Sequence, residues 1–552
     1  MIADIHITEK SFGDKTLMKD VKFSVDDGEK VGVVGRNGVG KSTLFGILSG
    51  KDTDYTGEVI FRRGITVATT AQEHHGLGDQ TVMSYILGGL PEYSKLKKII
   101  DEYPLTMGDN MRKIEEYTQA LERFDQKGFY QVEEKIEREL SKFQLDGYGN
   151  RRISSLSGGQ KRLVEIVKIM HSEAHLALID EPTNHMDYVA KQQFIDWMNS
   201  QPHQAMLIIT HDRDVLGQVD RIVEIKDGQA VSYRGNYDAY LKQNAQATTA
   251  GMNNFEQIEK RIVNLKQKVL DYQRLKEKSR NPGTIQKFKR LENEARAELE
   301  ELLEMEKPTF WIDKESASQL DYKSAERYGK FKSRNIRLSV KDASSRSQHV
   351  LVRAENVAVG IGERILFEDV NIDLREGEAI EIRGRNGAGK TTLIRMILAS
   401  GKSFDDGPVL YSGDIFLDPQ VRIGVYEQEI DERYLSDPLE KAIEKLYMSR
   451  DLSISDTKIR QLLADYLFTD ADRMTPLARL SGGQKARFQI ISMLANDPQL
   501  LVLDEPTNHL DLPSIEELET ALAKYSGAIL YVSHDNYFRE KLGGKVVQIG
   551  AE

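Results

Sequence analysis

Two stretches of this chain could cradle a phosphate: Gly35-Arg36-Asn37-Gly38-Val39-Gly40-Lys41-Ser42 and Gly384-Arg385-Asn386-Gly387-Ala388-Gly389-Lys390-Thr391. Each follows a β-branched run and precedes an apolar helical pattern, the strand-loop-helix setting of a P-loop. Glycine lets successive backbone N–H groups turn inward around phosphate oxygens, and the following helix presents its positive end to them. Lys41 and Lys390 are expected to reach the β- and γ-phosphates, and the hydroxyls of Ser42 and Thr391 to ligate Mg²⁺, with Thr43 and Thr392 next in each phosphate site. Further along, Leu176-Ala177-Leu178-Ile179-Asp180-Glu181 and Leu501-Val502-Leu503-Asp504-Glu505 read as apolar strands ending in paired acids. Asp180 and Asp504 would hold Mg²⁺ through water, and Glu181 and Glu505 would orient or deprotonate an attacking water. Alone, such an end reads equally well as a solvated strand terminus. Beside a P-loop the hydrolytic reading prevails, because buried paired acids are costly unless a cation or proton compensates them. The whole set occurs twice in the same order, which suits a nucleotide-driven two-state machine.

Leu156-Ser157-Gly158-Gly159-Gln160 and Leu480-Ser481-Gly482-Gly483-Gln484 resemble the signature sequence of ATP-binding-cassette ATPases. In both halves the leucine lies equally far before the strand-end aspartate. The resemblance implies that His211 and His534, each after an apolar strand, contact the γ-phosphate and help hold the attacking water. Gln72 and Gln428 resemble the glutamines that sense Mg²⁺ and γ-phosphate in that family. It also implies that the two domains meet head to tail, so that each ATP lies between the P-loop of one and the signature of the other. Site one would use Gly35 to Ser42, Gln72, Asp180, Glu181 and His211 with Ser481, Gly482 and Gly483 opposite. Site two would use Gly384 to Thr391, Gln428, Asp504, Glu505 and His534 with Ser157, Gly158 and Gly159 opposite. A γ-phosphate contacted from both sides can close two domains, and its loss removes that bridge. Phe12 sits where the family stacks a ring on adenine. Aligning Asp20-Val21 with Asp369-Val370 puts Ile361 at the equivalent place, which offers apolar contact with less stacking.

After each acid pair comes Pro-Thr-Asn-His, in Glu181 to Asp187 and Glu505 to Asp511. This run resembles the ABC-F family, tandem ATPases that bind ribosomes. At 552 residues the chain is too long for one core and allows two ATPase domains and a connector. The expected fold class is α/β: a first cassette over 1–245 with a helical insertion at about 93–140, a helical hairpin linker over 246–345, and a second cassette over 346–552. No stretch approaches 18 continuous apolar residues, so neither a transmembrane span nor a signal peptide is expected. The absence of cysteine excludes disulfides and thiolate chemistry. His74-His75 reads as a solvated turn in preference to a zinc site.

The net charge of −11 argues against a nucleic-acid partner until its distribution is read. Asn253 to Lys278 carries Phe255, Ile258, Ile262, Leu265 and Val269 at helical spacing. Asn281-Pro282-Gly283 interrupts the pattern, which resumes from Ile285 to about Glu306, giving an antiparallel hairpin. At its bend, over 274–290, Arg274, Lys276, Lys278, Arg280, Lys287, Lys289 and Arg290 oppose only Glu277, and the base of the second helix is acidic, beginning with Glu292. Charge alone allows either a phosphate-seeking tip or a solvated connector. The ABC-F resemblance implies the former: a hairpin whose tip reaches the peptidyl-transferase region and touches P-site tRNA, here through Arg280, Lys287, Lys289 and Arg290. A second basic run, Lys323, Arg327, Lys330, Lys332, Arg334, Arg337 and Lys341, reads equally as an RNA contact or as an exposed linker.

The resemblance therefore implies a cytoplasmic, Mg²⁺-dependent ATPase, monomeric when free. It would bind ribosome, ribosomal RNA and P-site tRNA through the tRNA-exit region, with no membrane partner. The alternatives are a ribosome-protection antibiotic resistance factor, mildly disfavoured by the short bend, and the ATPase subunit of a membrane transporter.

Overall fold

The β-branched runs beside the motifs are buried on both faces, as parallel strands covered by helices must be. The structure is a computed structural model that describes every residue except 14, 71–78, 109, 185, 306, 309, 319, 321, 339–348, 363, 403–406, 428–429 and 551–552. Met1–Tyr237 and Ile336–Glu552 together form one compact unit, and Asp238–Asn335 forms another.

In the first unit, Lys30–Gly35 is a central strand between Ala205–Ile209 and Arg221–Lys226. Leu176–Asp180 and Val67–Thr69 extend the sheet in parallel on one side, and Gln229–Arg234 closes the other edge antiparallel. A three-stranded antiparallel sheet, with Ala3–Phe12 between Lys15–Val25 and Thr56–Phe61, supplies a second layer. The second half repeats the plan. Its five-stranded parallel sheet runs Ile423–Tyr426, Leu500–Asp504, Ala528–Val532, Ala379–Arg383, Lys545–Gln548, beside a three-stranded sheet centred on Val350–Ile361. Each half is thus an α/β cassette. Ile5, Val33, Leu44, Leu178 and Leu207 fill the core between the layers of the first, and Val352, Ile382, Leu393, Val502 and Leu530 do so in the second.

Between the Val67–Thr69 strand and the first signature, the helices Val82–Gly88, Tyr93–Thr106, Met111–Gln126 and Val132–Lys142 elaborate the first cassette. At its centre Phe129 packs edge to face on Tyr93 and on Phe124, whose rings tilt against each other. Pro104 lies in the last turn of Tyr93–Thr106, and the break follows at Gly108, whose φ of 46° is left-handed.

The second unit contains helices over Tyr237–Lys278 and Pro282–Glu304. The first begins at Tyr237 and not at Asn253. Tyr240, Asn244, Thr248 and Met252 make one buried face at four-residue spacing, and the polar pair within it conceals the stripe from a purely apolar pattern. Asn244 is satisfied there by donating to the Trp311 carbonyl at 2.8 Å. Asn281-Pro282-Gly283 is a helix start more than an interruption. Asn281 caps the second helix by accepting from Gly283 N at 2.9 Å, and Pro282 occupies its first turn, where a missing N–H costs nothing.

The two helices are antiparallel partners. Tyr272 stacks on Phe288 with centroids 6.4 Å apart, and Arg261 holds Glu298 in a fork at 2.7 and 2.9 Å. Glu292 is not part of an exposed acidic base: it is buried and accepts from Lys276 at 2.5 Å, Gln273 at 3.0 Å and Arg296 at 3.1 Å. The hydrogen bond from Lys276, joined by the others, holds its carboxyl down at about 2. Lys276 is therefore spent inside the hairpin and leaves the set of tip cations. Met252, Ile312, Tyr328 and Phe331 form a small core at the other end. Arg327 of the second basic run donates there to Asn253 at 2.8 Å and Glu256 at 3.3 Å, whereas Lys330, Lys332 and Arg334 are exposed.

Candidate nucleotide sites between the cassettes

Each P-loop leaves its central strand and enters a helix through a left-handed glycine, Gly40 at φ 102° and Gly389 at φ 96°, a conformation only glycine adopts without strain. A Cβ on Gly35 or Gly384 would lie 2.5 Å from the carbonyl of Ile225 or Ile549, so the first glycine of each loop is required by close backbone approach. At Gly38 and Gly387 the left-handed φ is 83° and 79° and the space beside each is open. The loops are held from within by their lysines. Lys41 Nζ donates to the Gly35 and Arg36 carbonyls at 2.7 and 3.2 Å, and Lys390 Nζ to Gly384 and Arg385 at 2.9 and 3.1 Å. Burial pushes both ammonium groups below the ordinary lysine range, against the pull of nearby carboxylates.

The next side chains meet the strand-end acids. Ser42 Oγ donates to Asp180 at 3.1 Å, and Thr391 Oγ1 to Asp504 at 2.7 Å. A hydroxyl and a carboxylate are hard oxygen donors at one point of each P-loop, which fits Mg²⁺ sharing its remaining positions with water and phosphate. No cage of three or more His, Cys, Asp or Glu stands together among the described residues, so nothing competes with that assignment. Thr43 and Thr392 follow in the first turn of each helix.

Glu181 and Glu505 both adopt left-handed backbone, at φ 47° and 52°. Non-glycine residues are held there only when their surroundings enforce it. Here the strand beside each does so, through Glu181 N to the Ile209 carbonyl at 2.7 Å and Glu505 N to that of Val532 at 3.0 Å. Burial pushes Glu181 up to about 8, with Asp180 adding to the effect, and Glu505 up to about 7. Each faces an imidazole. His534 Nε2 lies 3.2 Å from Glu505, while its backbone N donates to the other carboxyl oxygen at 3.1 Å. His211 Nε2 lies 3.7 Å from Glu181, and both its ring nitrogens are buried without a hydrogen-bond partner among the described residues. Burial lowers both imidazoles to about 3, so both are neutral near pH 7. A buried imidazole with no acceptor or donor in reach fits a site that a polar ligand completes.

A cavity of about 970 Å³ brings Ser157, Gly158 and Gly159 of the first cassette together with Asn386, Gly387, Gly389, Lys390, Thr391 and Thr392 of the second. Asp504, Glu505, His534 and Ile361 also line it, and Glu181 and His211 reach its far side. Ser157 and Ser481 each cap their signature helix in a reciprocal box with the following glutamine. On the other face, a Cβ on Gly483 would stand 2.0 Å from Asn37 Nδ2, so any side chain there would push Asn37 of the first P-loop aside. Gly482 is in looser contact with the His509 ring. Phe12 and Ile361 occupy the same hairpin position, paired across their strands with Lys15 and Arg364, and both are about half exposed. Lys10 Nζ lies 4.7 Å over the Phe12 ring. Gln72, His74, His75, Gln428 and Lys341 lie outside the described residues.

Sequence reasoning missed Asp187 and Asp511. Each caps a helix in its own cassette, through Ala190 N at 2.9 Å and Ser514 N at 3.1 Å. Each also accepts a P-loop amide of the opposite cassette, Asn386 N at 3.0 Å and Asn37 N at 3.1 Å. Asn37 Nδ2 donates besides to the His509 carbonyl at 2.9 Å. Burial pushes the Asp187 carboxyl up, but the amides of Ala190 and Asn386 outweigh it. The signal was available, since an aspartate follows Pro-Thr-Asn-His in both halves. Gln144, which donates to Asp187 at 2.5 Å, has no such sequence mark.

The tip cations Arg280, Lys287, Lys289 and Arg290 are all exposed, and among the described residues only Arg290 has a near carboxylate, Glu294 at 3.5 Å. Among the described residues no helix is long and apolar enough to cross a membrane.

Paired P-loops, strand-end acids and signature helices facing each other define a tandem-cassette nucleotide triphosphatase. A family model described as ABC transporter matches residues 18–184 and 367–508. ABC transporter F family member 2 of Arabidopsis thaliana is 29% identical over 98% of this chain and 75% of its own length. The energy-dependent translational throttle protein EttA of Mycobacterium tuberculosis is 28% identical over 96% of this chain and 88% of its own. The solved structure of an RNase-L Inhibitor shares the fold, with a TM-score of 0.56 and 17% identity over 99% of this chain and 88% of that one. This chain belongs to the ABC transporter family and, within it, to the ABC-F ATPases. It is an ATPase that uses ATP and Mg²⁺.

Proposed function

We propose that the chain is a cytoplasmic ribosome-binding translation factor that hydrolyses ATP at two composite sites. Its linker would act near the peptidyl-transferase centre and P-site tRNA after entry through the tRNA-exit region. At each site the P-loop amides and Lys41 or Lys390 bind the β- and γ-phosphates, and Ser481 to Gly483 or Ser157 to Gly159 complete the pocket from the opposite cassette. Water attacks the γ-phosphoryl group while Glu181 or Glu505 takes its proton, the bond to the ADP oxygen breaks, and neutral His211 or His534 positions the attacking group. Ser42 with Asp180 and Thr391 with Asp504 would hold Mg²⁺, which would supply charge neutralisation on the phosphate oxygens. Positioning and electrostatics are the main catalytic contributions. Phe12 and Ile361 support adenine. Domain limits of 1–245, 246–345 and 346–552 suit this division of labour.

The observation that carries the partner assignment is an exposed cationic bend on a chain of net charge −11, in a family with a relative named for throttling translation. Co-sedimentation with ribosomes in a nonhydrolysable ATP analogue tests it. Wild type should pellet. Replacing Arg280, Lys287, Lys289 and Arg290 with glutamine should weaken pelleting and flatten its salt dependence, since each lost phosphate contact removes part of the counterion-release effect. Basal ATPase should be spared, because none of the four belongs to a nucleotide motif. Unchanged affinity and salt slope would assign the bend to a plain connector, and copurification with an integral membrane protein would favour a transporter subunit.

A further inference from the structure

In the wall of that same cavity, one group of buried charges joins the cassettes and has no counterpart by the internal repeat. Lys191 is buried in the helix Tyr188–Asn199. Its Nζ donates to the backbone carbonyl of His534 in the other cassette at 2.8 Å and to Asp214 at 2.5 Å, and lies 3.4 Å from Asp212. Asn536 of the second cassette donates to the same Asp214 oxygen at 2.8 Å. Beside it Arg213 reaches across to Asp535 at 3.0 Å and to Glu519. Aligning Asp187 with Asp511 places Ile515 opposite Lys191 and Ile195 opposite Glu519, and aligning His211 with His534 places Asn536 opposite Arg213. An isoleucine cannot donate, so the first site receives no matching ammonium from the second cassette.

The two histidines differ in step with this. His534, whose main chain Lys191 holds, stands 3.2 Å from Glu505, and His211 stands 3.7 Å from Glu181. We propose that Lys191 is a positioning residue acting in trans on the second site. It pins the His534 backbone so that the imidazole and the Glu505 carboxylate keep their mutual orientation, and hydrolysis there waits on the first cassette. The first site carries no such condition. This inference rests on Glu505 and His534 being the hydrolytic pair of site two. An ammonium enclosed by two carboxylates suits the task, because its three donors lie in fixed directions and its partners leave it no other rotamer.

The test measures single-turnover phosphate release in two backgrounds, Glu181→Gln, which leaves site two, and Glu505→Gln, which leaves site one. Lys191→Met is expected to slow site two about 10-fold and site one less than about 2-fold, with ATP affinity at each changed by no more than about 3-fold. Lys191→Arg, which can donate to the same carbonyl, should recover most of the loss. Lys191→Met with Asp214→Asn removes one carboxylate with the ammonium and guards against misfolding from an unbalanced charge. It should keep the selective defect while melting near the wild-type temperature. Equal slowing at both sites, no slowing at site two, or a defect that Lys191→Arg leaves in place would overturn the proposal. Should Glu505→Gln itself leave its own site at full rate, the assignment of the hydrolytic pair fails instead, and the two failures are distinct.

Discussion

Replacing Glu505 by glutamine should make the protein more stable, and increasingly so as the pH rises. Burial lifts this carboxyl from 4.5 to about 7. Between those values the unfolded chain has released the proton and the folded chain retains it, so stability is lost as the pH climbs and the loss levels off above about 7. A difference of about 2.5 units at 1.36 kcal/mol each gives a penalty of ~3 kcal/mol at pH 8. Glutamine has no proton to release and keeps a carbonyl oxygen to accept from His534 N, as Glu505 does at 3.1 Å. Wild type and Glu505→Gln should therefore melt together near pH 4.5 and separate by pH 8. At roughly 2–4 °C per kcal/mol for a unit of 150–250 residues, the gap should open to roughly 6–12 °C. Thermal unfolding without nucleotide, scanned across that range, reads it directly. Titrating groups beyond the reach of Glu505 are common to both proteins and drop out of the difference. A gap that stays constant or narrows with rising pH would refute the claim that burial raises the Glu505 carboxyl.

Two further outcomes follow from the site geometry. Phe12→Ala should weaken ATP at its own site more than Ile361→Ala weakens the other, by about 0.5–1.5 kcal/mol, if ring stacking is the lost contact; site-resolved nucleotide titration showing equal or reversed penalties would mean the hairpin positions do not hold adenine alike. Gly483→Ala should hinder cassette closure at the first P-loop, because the new methyl overlaps Asn37 Nδ2 and displaces its bond to His509. With overpacking and one lost hydrogen bond together costing about 2–4 kcal/mol, ATP-dependent protection of Asn37 and its neighbours from hydrogen exchange should fall, and unchanged protection would contradict the close approach.

The P-loops, strand-end acids and signatures were legible because each is a short run whose chemistry demands particular residue types at adjacent positions. Their duplication revealed the two cassettes for the same reason. What escaped reading depends on residues far apart in the chain. Lys191 and Arg213 look like surface charges in an amphipathic helix and a turn until the second cassette encloses them. Lys276 and Glu292 counted as tip and base charges until the hairpin folded them into one part-buried pair. The start of the long helix was missed because Asn244 and Thr248 lie in its buried face, and polar residues are silent in a hydrophobic period. Nothing in the composition of Asp180-Glu181 or Asp504-Glu505 announces a left-handed glutamate, since that backbone is imposed by the neighbouring strand.

Asp187 and Asp511 divide their work between two oxygens. One oxygen of each carboxylate stays within its own cassette and stops a helix from fraying, and the other reaches the facing P-loop. Parting the cassettes would hand only the second oxygen to water and leave the first in place. At each aspartate the join behaves like a snap fastener: it can be undone repeatedly without unpicking the cloth on either side, and what changes hands there is one hydrogen bond and not a turn of helix.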